Sequence, residues 1–165
     1  MNIVENYFNR SIIDQLKELV NSPQLPWYYQ ENVVYYQGSG NSEEKHVDNF
    51  YHSHIVYEDF KPYSNTFNIF IPVLKALEVN SLIRIKINKY PRTNKVIKHT
   101  AHKDYEFSHK GCILFLNSCD GYTEIENKKV TSVENRVVLF DPSISHNSTT
   151  CTNSRFRLTI TFNYF

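Results

Sequence analysis

Glycine is scarce in this chain, with four residues in 165, and proline stops at six. So little of either excludes collagen-like, low-complexity and linker-dominated chains. Charge of one sign is missing too: 18 Lys and Arg stand against 17 Asp and Glu, a formal net charge of +1. No global positive field draws the chain to nucleic acid or to an anionic membrane. Cysteine is held to Cys112, Cys119 and Cys151, with no Cys-x-x-Cys spacing. That set forms neither a disulfide framework nor a zinc site, and the expectation is three reduced thiols in a cytoplasmic protein. No apolar run reaches the length of a membrane span, and no N-terminal stretch has the form of a signal peptide.

What is present is a hydrophobic content of 41% with 15% aromatics, enough for one globular domain over residues 1–165. Asn, Lys, Ile and Tyr are frequent, a bias of AT-rich genomes such as those of phages. Ser11 to Val20 reads as an amphipathic helix, with Ile12, Ile13, Leu16, Leu19 and Val20 on one side, Ser11 as its cap and Pro23 as its stop. Trp27 to Tyr36 reads as an aromatic strand, either a substrate wall or ordinary core. Residues 38–45 form a polar loop, a mobile lid or a plain connection. His52 and His54 are spaced like a ligand pair but have no matching carboxylate and read as strand residues. A second helix is expected over Asn65 to Leu77, starting near Ile71 because Pro72 is tolerated only in a first turn.

From Ser81 onward the pattern turns to short strands: Leu82 to Asn88, His99 to Asp104, Gly111 to Asn117, Gly121 to Glu126, Lys129 to Val133, Arg136 to Asp141 and Arg155 to Phe162. Turn residues separate them at Asp120-Gly121, Glu126-Asn127 and Glu134-Asn135. Helices followed by antiparallel strands predict an α+β chain. Its core would be a double-stranded β-helix, or jelly roll, with the N-terminal helices packed on one sheet.

The chemistry gathers between Ile87 and Phe162. His102 and Asp104 are two residues apart, which on a strand puts both on one face, about 6–7 Å apart. His146 follows after enough chain to return beside them. Two histidines and one carboxylate on one face of a metal is the ligand set of non-haem Fe(II) oxygenases. Arg157 and Thr159 come next, also two apart.

The order His-x-Asp, His, Arg-x-Thr resembles the 2-oxoglutarate/Fe(II)-dependent dioxygenase superfamily. The stretches Leu25 to Tyr29, Ser132 to Asp141 and Arg157 to Phe165 are similar to small oxygenases of marine bacteriophages and bacteria. The resemblance implies Fe(II) held by His102, Asp104 and His146, with 2-oxoglutarate and O2 at the remaining positions and ascorbate as reductant. It implies release of succinate and CO2 as a substrate is hydroxylated. It places the distal carboxylate of 2-oxoglutarate on Arg157, whose planar fork suits a carboxylate, with Thr159 adding a hydroxyl; Arg155 is the rival anchor. Asn88 and Tyr90 are similar to the Asn-x-Tyr pair that contacts the cosubstrate in the nucleic-acid dealkylase branch. That branch has a further arginine where this chain has Asn163, which argues against base dealkylation.

Arg92, Lys95, Lys98, His99, Lys103 and Lys110 flank the metal motif, either as collectors of an anionic substrate or as a solvated loop. His99 and His109 are read as non-ligands. The expected activity is hydroxylation of a protein side chain of prolyl type, or of a small molecule, in the cytoplasm (the host's if the chain is phage-encoded). The rivals are a non-catalytic binding module on the same fold and a nucleobase-modifying oxygenase. Substrate choice is expected to lie in the loops 37–45 and 104–110.

Overall fold

The computed structural model describes residues 1–33 and 50–165. The expected lid at 38–45 and the second half of the aromatic stretch lie outside the described residues. Helix α1 spans Arg10–Asn21 and buries Ile13, Leu16, Leu19 and Val20, the stripe that its periodicity predicts. It starts one residue earlier than Ser11, behind Asn9, and no side chain caps it. Ser11 therefore lies in the first turn instead of capping it. The helix ends at Ser22, which is extended because Pro23 disfavours helical backbone in the residue before it. A 3-10 turn over Phe67–Phe70 leads into the short helix α2, Ile71–Ala76, with Pro72 in its first turn.

Among the described residues, eleven strands form two antiparallel sheets. In the larger, β1 (Asn2–Val4), β9 (Val137–Phe140), β6 (Lys110–Phe115), β11 (Phe156–Tyr164), β5 (Leu82–Pro91), β3 (Tyr51–Glu58) and β2 (Tyr28–Gln30) lie in that spatial order, and β4 (Lys61–Pro62) pairs with β3. The smaller contains β10 (His146–Asn147), β7 (Tyr122–Ile125) and β8 (Lys128–Thr131). Isolated bridges Lys98↔Thr149 and His102↔His146 lay the 98–102 segment alongside the smaller sheet. This is the layout of a jelly roll.

The expected strands at 82, 111, 121, 129, 136 and 155 are all found, with ends shifted by a few residues. The one expected over His99 to Asp104 is not a continuous strand. It touches its neighbour only at single bridges, because the Asp104 N–H turns aside to the Pro142 carbonyl at 3.0 Å. The β7–β8 hairpin closes through Glu126 and Asn127, both with positive φ (48° and 65°), as a two-residue hairpin turn requires. Asn135, at φ 61°, ties the N-terminal segment down: its side chain accepts from the Phe8 N–H and donates to the Phe8 carbonyl.

Alternation along the central strands divides the molecule. One set of positions, including Ile85, Ile87, Leu114, Ile160 and Phe162, shares a hydrophobic cluster with Ile13, Leu16, Leu19 and Val20. A smaller cluster joins Ile113, Phe115, Val138 and Phe140 of the large sheet to Ile125 and Val130 of the small one. The remaining inward positions of β5 and β11 are polar, and they build the site. Ile160 is fully buried between β5 and β6, so Ile160→Ala should cost about 2–5 kcal/mol, read from the denaturant midpoint.

Candidate metal centre and its cavity

On β5 the inward residues are Arg84, Lys86, Asn88 and Tyr90, two apart; on β11 they are Arg157, Thr159, Thr161 and Asn163. The register pairs them rung by rung: Tyr90 with Arg157, Asn88 with Thr159, Lys86 with Thr161, Arg84 with Asn163. All but Asn163 line a cavity of about 270 Å³ together with His102, Asp104 and His146. One end of this ladder holds the candidate metal ligands, and the other holds Arg157.

His102 and His146 face each other across an antiparallel bridge, exchanging backbone hydrogen bonds of 2.8 and 2.9 Å. Such a pair places both side chains on one face, and the ring centroids are 4.6 Å apart. The ligand atoms of His102, Asp104 and His146 all lie within 4.8 Å of one another. The Nδ1 atom of His146 is 2.9 Å from the Ile144 carbonyl, and that of His102 is 3.4 Å from the Thr100 carbonyl. A proton on Nδ1 satisfies each carbonyl and leaves the Nε2 lone pair for a metal. Burial, then the charge of His146, lowers the His102 pKa to about 4, so the ring is neutral at physiological pH. The donor types and their orientation fit Fe(II).

Asp104 is held from both sides. Arg84 pairs with its Oδ1 at 2.8 Å, and the Asn163 amide donates to its Oδ2 at 2.9 Å. Arg84 Nε also donates to Asn163 Oδ1 at 3.3 Å, closing a ring of three side chains. Burial alone would raise the Asp104 carboxyl, but Arg84, His146 and the Asn163 amide hold it down at about 2. Arg84 is the residue that reading the sequence missed. Its alternation with Lys86, Asn88 and Tyr90 was the available signal, and Asn163 is the rung opposite it.

Arg157 is fully buried. Its Nε donates to Ser132 Oγ at 2.7 Å, one terminal nitrogen donates to Thr123 Oγ1 at 2.6 Å, and the other to the Thr149 carbonyl at 3.3 Å. The guanidinium carbon lies 5.2 Å from the Tyr90 ring centroid and 5.5 Å from that of Phe115. No carboxylate among the described residues pairs with it. Gly121 makes the room: a Cβ there would come within 2.6 Å of Arg157 Cδ and 2.5 Å of the Thr150 carbonyl.

Arg155, the rival anchor, is exposed and lies before β11. Asn88 and Tyr90 are both buried and point into the cavity. The Asn88 amide donates to Thr161 Oγ1 at 3.2 Å and to Thr159 Oγ1 at 3.5 Å, while Tyr90 stacks on Tyr51. Of the flanking basic group, Lys98 pairs with Glu124 and Lys103 with Glu106, so neither is a free collector of anions. His99 is buried against Tyr90 with Nδ1 on Ser148 Oγ at 2.8 Å, and His109 touches Asn163 at 3.0 Å. His54 bonds the Pro26 carbonyl, away from the centre. Of the described part of the aromatic stretch, Tyr28 and Tyr29 are exposed and line no part of this cavity, Trp27 packs against the main hydrophobic cluster, and Val33 lines the cavity.

No protein-family model matches this chain, and no curated protein matches it in sequence. Solved structures do match it in shape. A prolyl hydroxylase from Trichoplax adhaerens, in complex with a hypoxia inducible factor oxygen degradation domain peptide, superposes with a TM-score of 0.66 at 14% identity. That match covers 99% of this chain and 82% of that one. An oxidoreductase of the 2OG-Fe(II) oxygenase family from Burkholderia pseudomallei gives 0.63 at 10% identity, over 98% and 83% of the two chains. A viral collagen prolyl hydroxylase from Paramecium Bursaria Chlorella virus-1, in its 2OG complex, gives 0.61 at 6%, over 98% and 93%. The chain has the fold of the 2-oxoglutarate/Fe(II) oxygenases, prolyl hydroxylases among them.

Burial, then the Arg157 charge, pushes the His99 pKa down to about 3. An unfolded histidine takes up a proton near pH 6.5. Between those values the unfolded chain binds more protons, so stability is full above about pH 6.5 and falls as the pH drops. Asp104, held at about 2, adds loss of the same sign below about pH 4. The denaturant midpoint should therefore fall between pH 7.5 and pH 5, and fall less in His99→Gln. An equal fall in that variant would place the acid sensitivity elsewhere.

Proposed function

We propose that this protein is an Fe(II)- and 2-oxoglutarate-dependent oxygenase that hydroxylates a protein side chain of prolyl type or a small molecule. The observation that carries this reading is the pairing of two features in one cavity. Three ligand atoms, two imidazole and one carboxylate, converge within 4.8 Å, and a fully buried guanidinium with no carboxylate partner among the described residues stands at the other end of the ladder. A buried charge without a counter-charge is costly, and an anionic ligand relieves that cost.

His102, Asp104 and His146 would hold the iron, and Arg157 the distal carboxylate of 2-oxoglutarate. The group they would hold would supply the activation of O2, coupled to conversion of 2-oxoglutarate into succinate and CO2. The protein's part is to orient and exclude. Thr123, Ser132 and the Thr149 carbonyl fix the guanidinium fork, so it meets a carboxylate without losing rotamer freedom. Thr159 and Asn88, one rung nearer the metal ligands, offer a hydroxyl and an amide along the path between the two ends. Tyr90 and Phe115 close off water around the guanidinium. Arg84 and Asn163 keep Asp104 ionised and pointed.

The prolyl hydroxylases among the structures of like fold, one with a bound peptide, support a protein substrate. The missing arginine at Asn163 and the balanced charge speak against a nucleobase. A reducing compartment such as the cytoplasm, the host's if the chain is phage-encoded, suits three free thiols. Ascorbate would keep the iron reduced in an assay.

The deciding test is anaerobic titration of metal-free protein with Fe(II) and then 2-oxoglutarate, followed by the weak visible charge-transfer band of the chelated cosubstrate. The band should appear in the wild type and vanish in His102→Ala and His146→Ala. Full iron affinity in His102→Ala would sink the metal assignment. Arg157→Ala should bind iron normally while 2-oxoglutarate affinity drops on the order of tenfold to a hundredfold, the loss of one charged hydrogen-bond pair. If neither iron nor cosubstrate binds, the chain is a binding module on an oxygenase fold.

Arg84→Met removes a contact behind the ligand carboxylate and no donor to the metal. Its iron affinity should fall about 10–100-fold, measured by competition with a chelator of known strength. Unchanged affinity would mean that Asn163 alone positions Asp104.

A further inference from the structure

Two of the three cysteines meet behind Arg157. Cys119 follows β6 and Cys151 follows β10; each thiol lies close enough to shift the other, and the Cys151 thiol donates to the Ser154 carbonyl at 3.5 Å. The backbone around them is pinned. The Asp120 N–H donates to Asn153 Oδ1 at 2.9 Å, the Thr152 N–H donates to Asp120 Oδ1 at 2.8 Å, and the Thr152 hydroxyl donates to the other carboxylate oxygen. Gly121 packs so closely on the second loop that an added Cβ would lie 3.3 Å from Cys151 Cβ. The two loops are therefore held edge to edge, with one thiol on each.

We infer that Cys119 and Cys151 are a redox modification site, a dithiol that peroxide converts to an intrachain disulfide. Their environments divide the labour. The contact with Cys151 pulls the Cys119 thiol below its ordinary value against the effect of burial, assisted by the Gly121 amide, the Arg157 charge and the Ser132 hydroxyl. The same contact, together with burial, pushes Cys151 up. Cys119 also retains a little exposure, 8%, against none for Cys151. Cys119, the more accessible of the two, is thus the thiol that meets peroxide, and Cys151, whose proton is held on the Ser154 carbonyl, is the resolving thiol.

The thiolate of Cys119 attacks one peroxide oxygen and the O–O bond breaks, giving a sulfenic acid and hydroxide. The Cys151 thiol then attacks that sulfur, and its proton leaves with the displaced hydroxyl as water as the S–S bond forms; the proton that Cys119 lost on ionising neutralises the hydroxide of the first step. The pair loses two electrons and two protons, and hydrogen peroxide is reduced to two waters. The bond would join the loops that carry the partners of Arg157: the Cys119 N–H donates to the carbonyl of Ser132, whose hydroxyl takes Arg157 Nε, and Thr149 lies two residues before Cys151. Cys112, buried on the other side of the large sheet with its thiol pushed up by burial, is the internal control.

The experiment needs no metal or cosubstrate, so it stands or falls apart from the oxygenase reading. Native protein is treated with low hydrogen peroxide, quenched, denatured, alkylated and mapped by mass spectrometry. The expected product is a Cys119–Cys151 cross-linked peptide lighter by two hydrogens, reversed by dithiothreitol, with Cys112 still alkylated. In Cys151→Ser, Cys119 should stop at the sulfenic acid and be trapped by dimedone. The proposal is overturned if both thiols remain fully alkylatable at a peroxide dose that oxidises glutathione. It is equally overturned if Cys112 reacts as readily as the pair.

Discussion

A guanidinium with no surface in water and, among the described residues, no carboxylate beside it is a costly feature to bury. Everything near Arg157 reads as a response to it. Three oxygen acceptors take its N–H groups, two aromatic faces cover it, and a glycine leaves space for its stem. Neutral acceptors satisfy its hydrogen bonds without cancelling its charge. The cavity that Arg157 lines leads along the β5–β11 ladder to the cluster of two histidines and an aspartate.

The second charge cluster has the opposite character. Asp104 is over-supplied with partners, with Arg84, Asn163 and His102 around it, so it stays ionised and fixed. An oxygen donor that faces a metal with its remaining valence already organised loses little freedom on binding. One end of the ladder thus offers an ordered anion to a cation, and the other offers an ordered cation to an anion. A ligand that bridges the two, with a chelating head and a distal carboxylate, matches that polarity.

Another cation of the cavity, Lys86, is set between these ends with its Nζ on the Tyr51 hydroxyl at 2.7 Å, and burial lowers its pKa. The same low-dielectric surroundings that weaken the lysine charge strengthen every interaction made by the two arginines. The thiol pair of Cys119 and Cys151 answers to this field as well, since the Arg157 charge is one of the influences on it.

Much of this was legible in the residues. Period-two alternation placed Asn88 and Tyr90, and Arg157 and Thr159, on inward faces, and the β-strands from Leu82 on follow from local pattern. The order His102, Asp104, His146 and Arg157 named the candidate ligands and anchor through its resemblance to the 2-oxoglutarate/Fe(II) oxygenases, a pattern carried by side-chain chemistry and spacing along the chain. Other features depend on register and on chain returning from far away, which no local window contains. His102 meets His146 through a single bridge and not along a strand. Arg84 reaches Asp104 only because it lies opposite Asn163. Arg157 is held by Thr123, Ser132 and Thr149 from three separate stretches. The loops that carry Cys119 and Cys151, 32 residues apart in sequence, are joined where Asp120 binds Thr152. The sequence by itself determined which groups could do chemistry and which way each faced. Only the tertiary structure decided which of them meet, because hydrogen-bonded register, unlike propensity, is settled between segments and not within one.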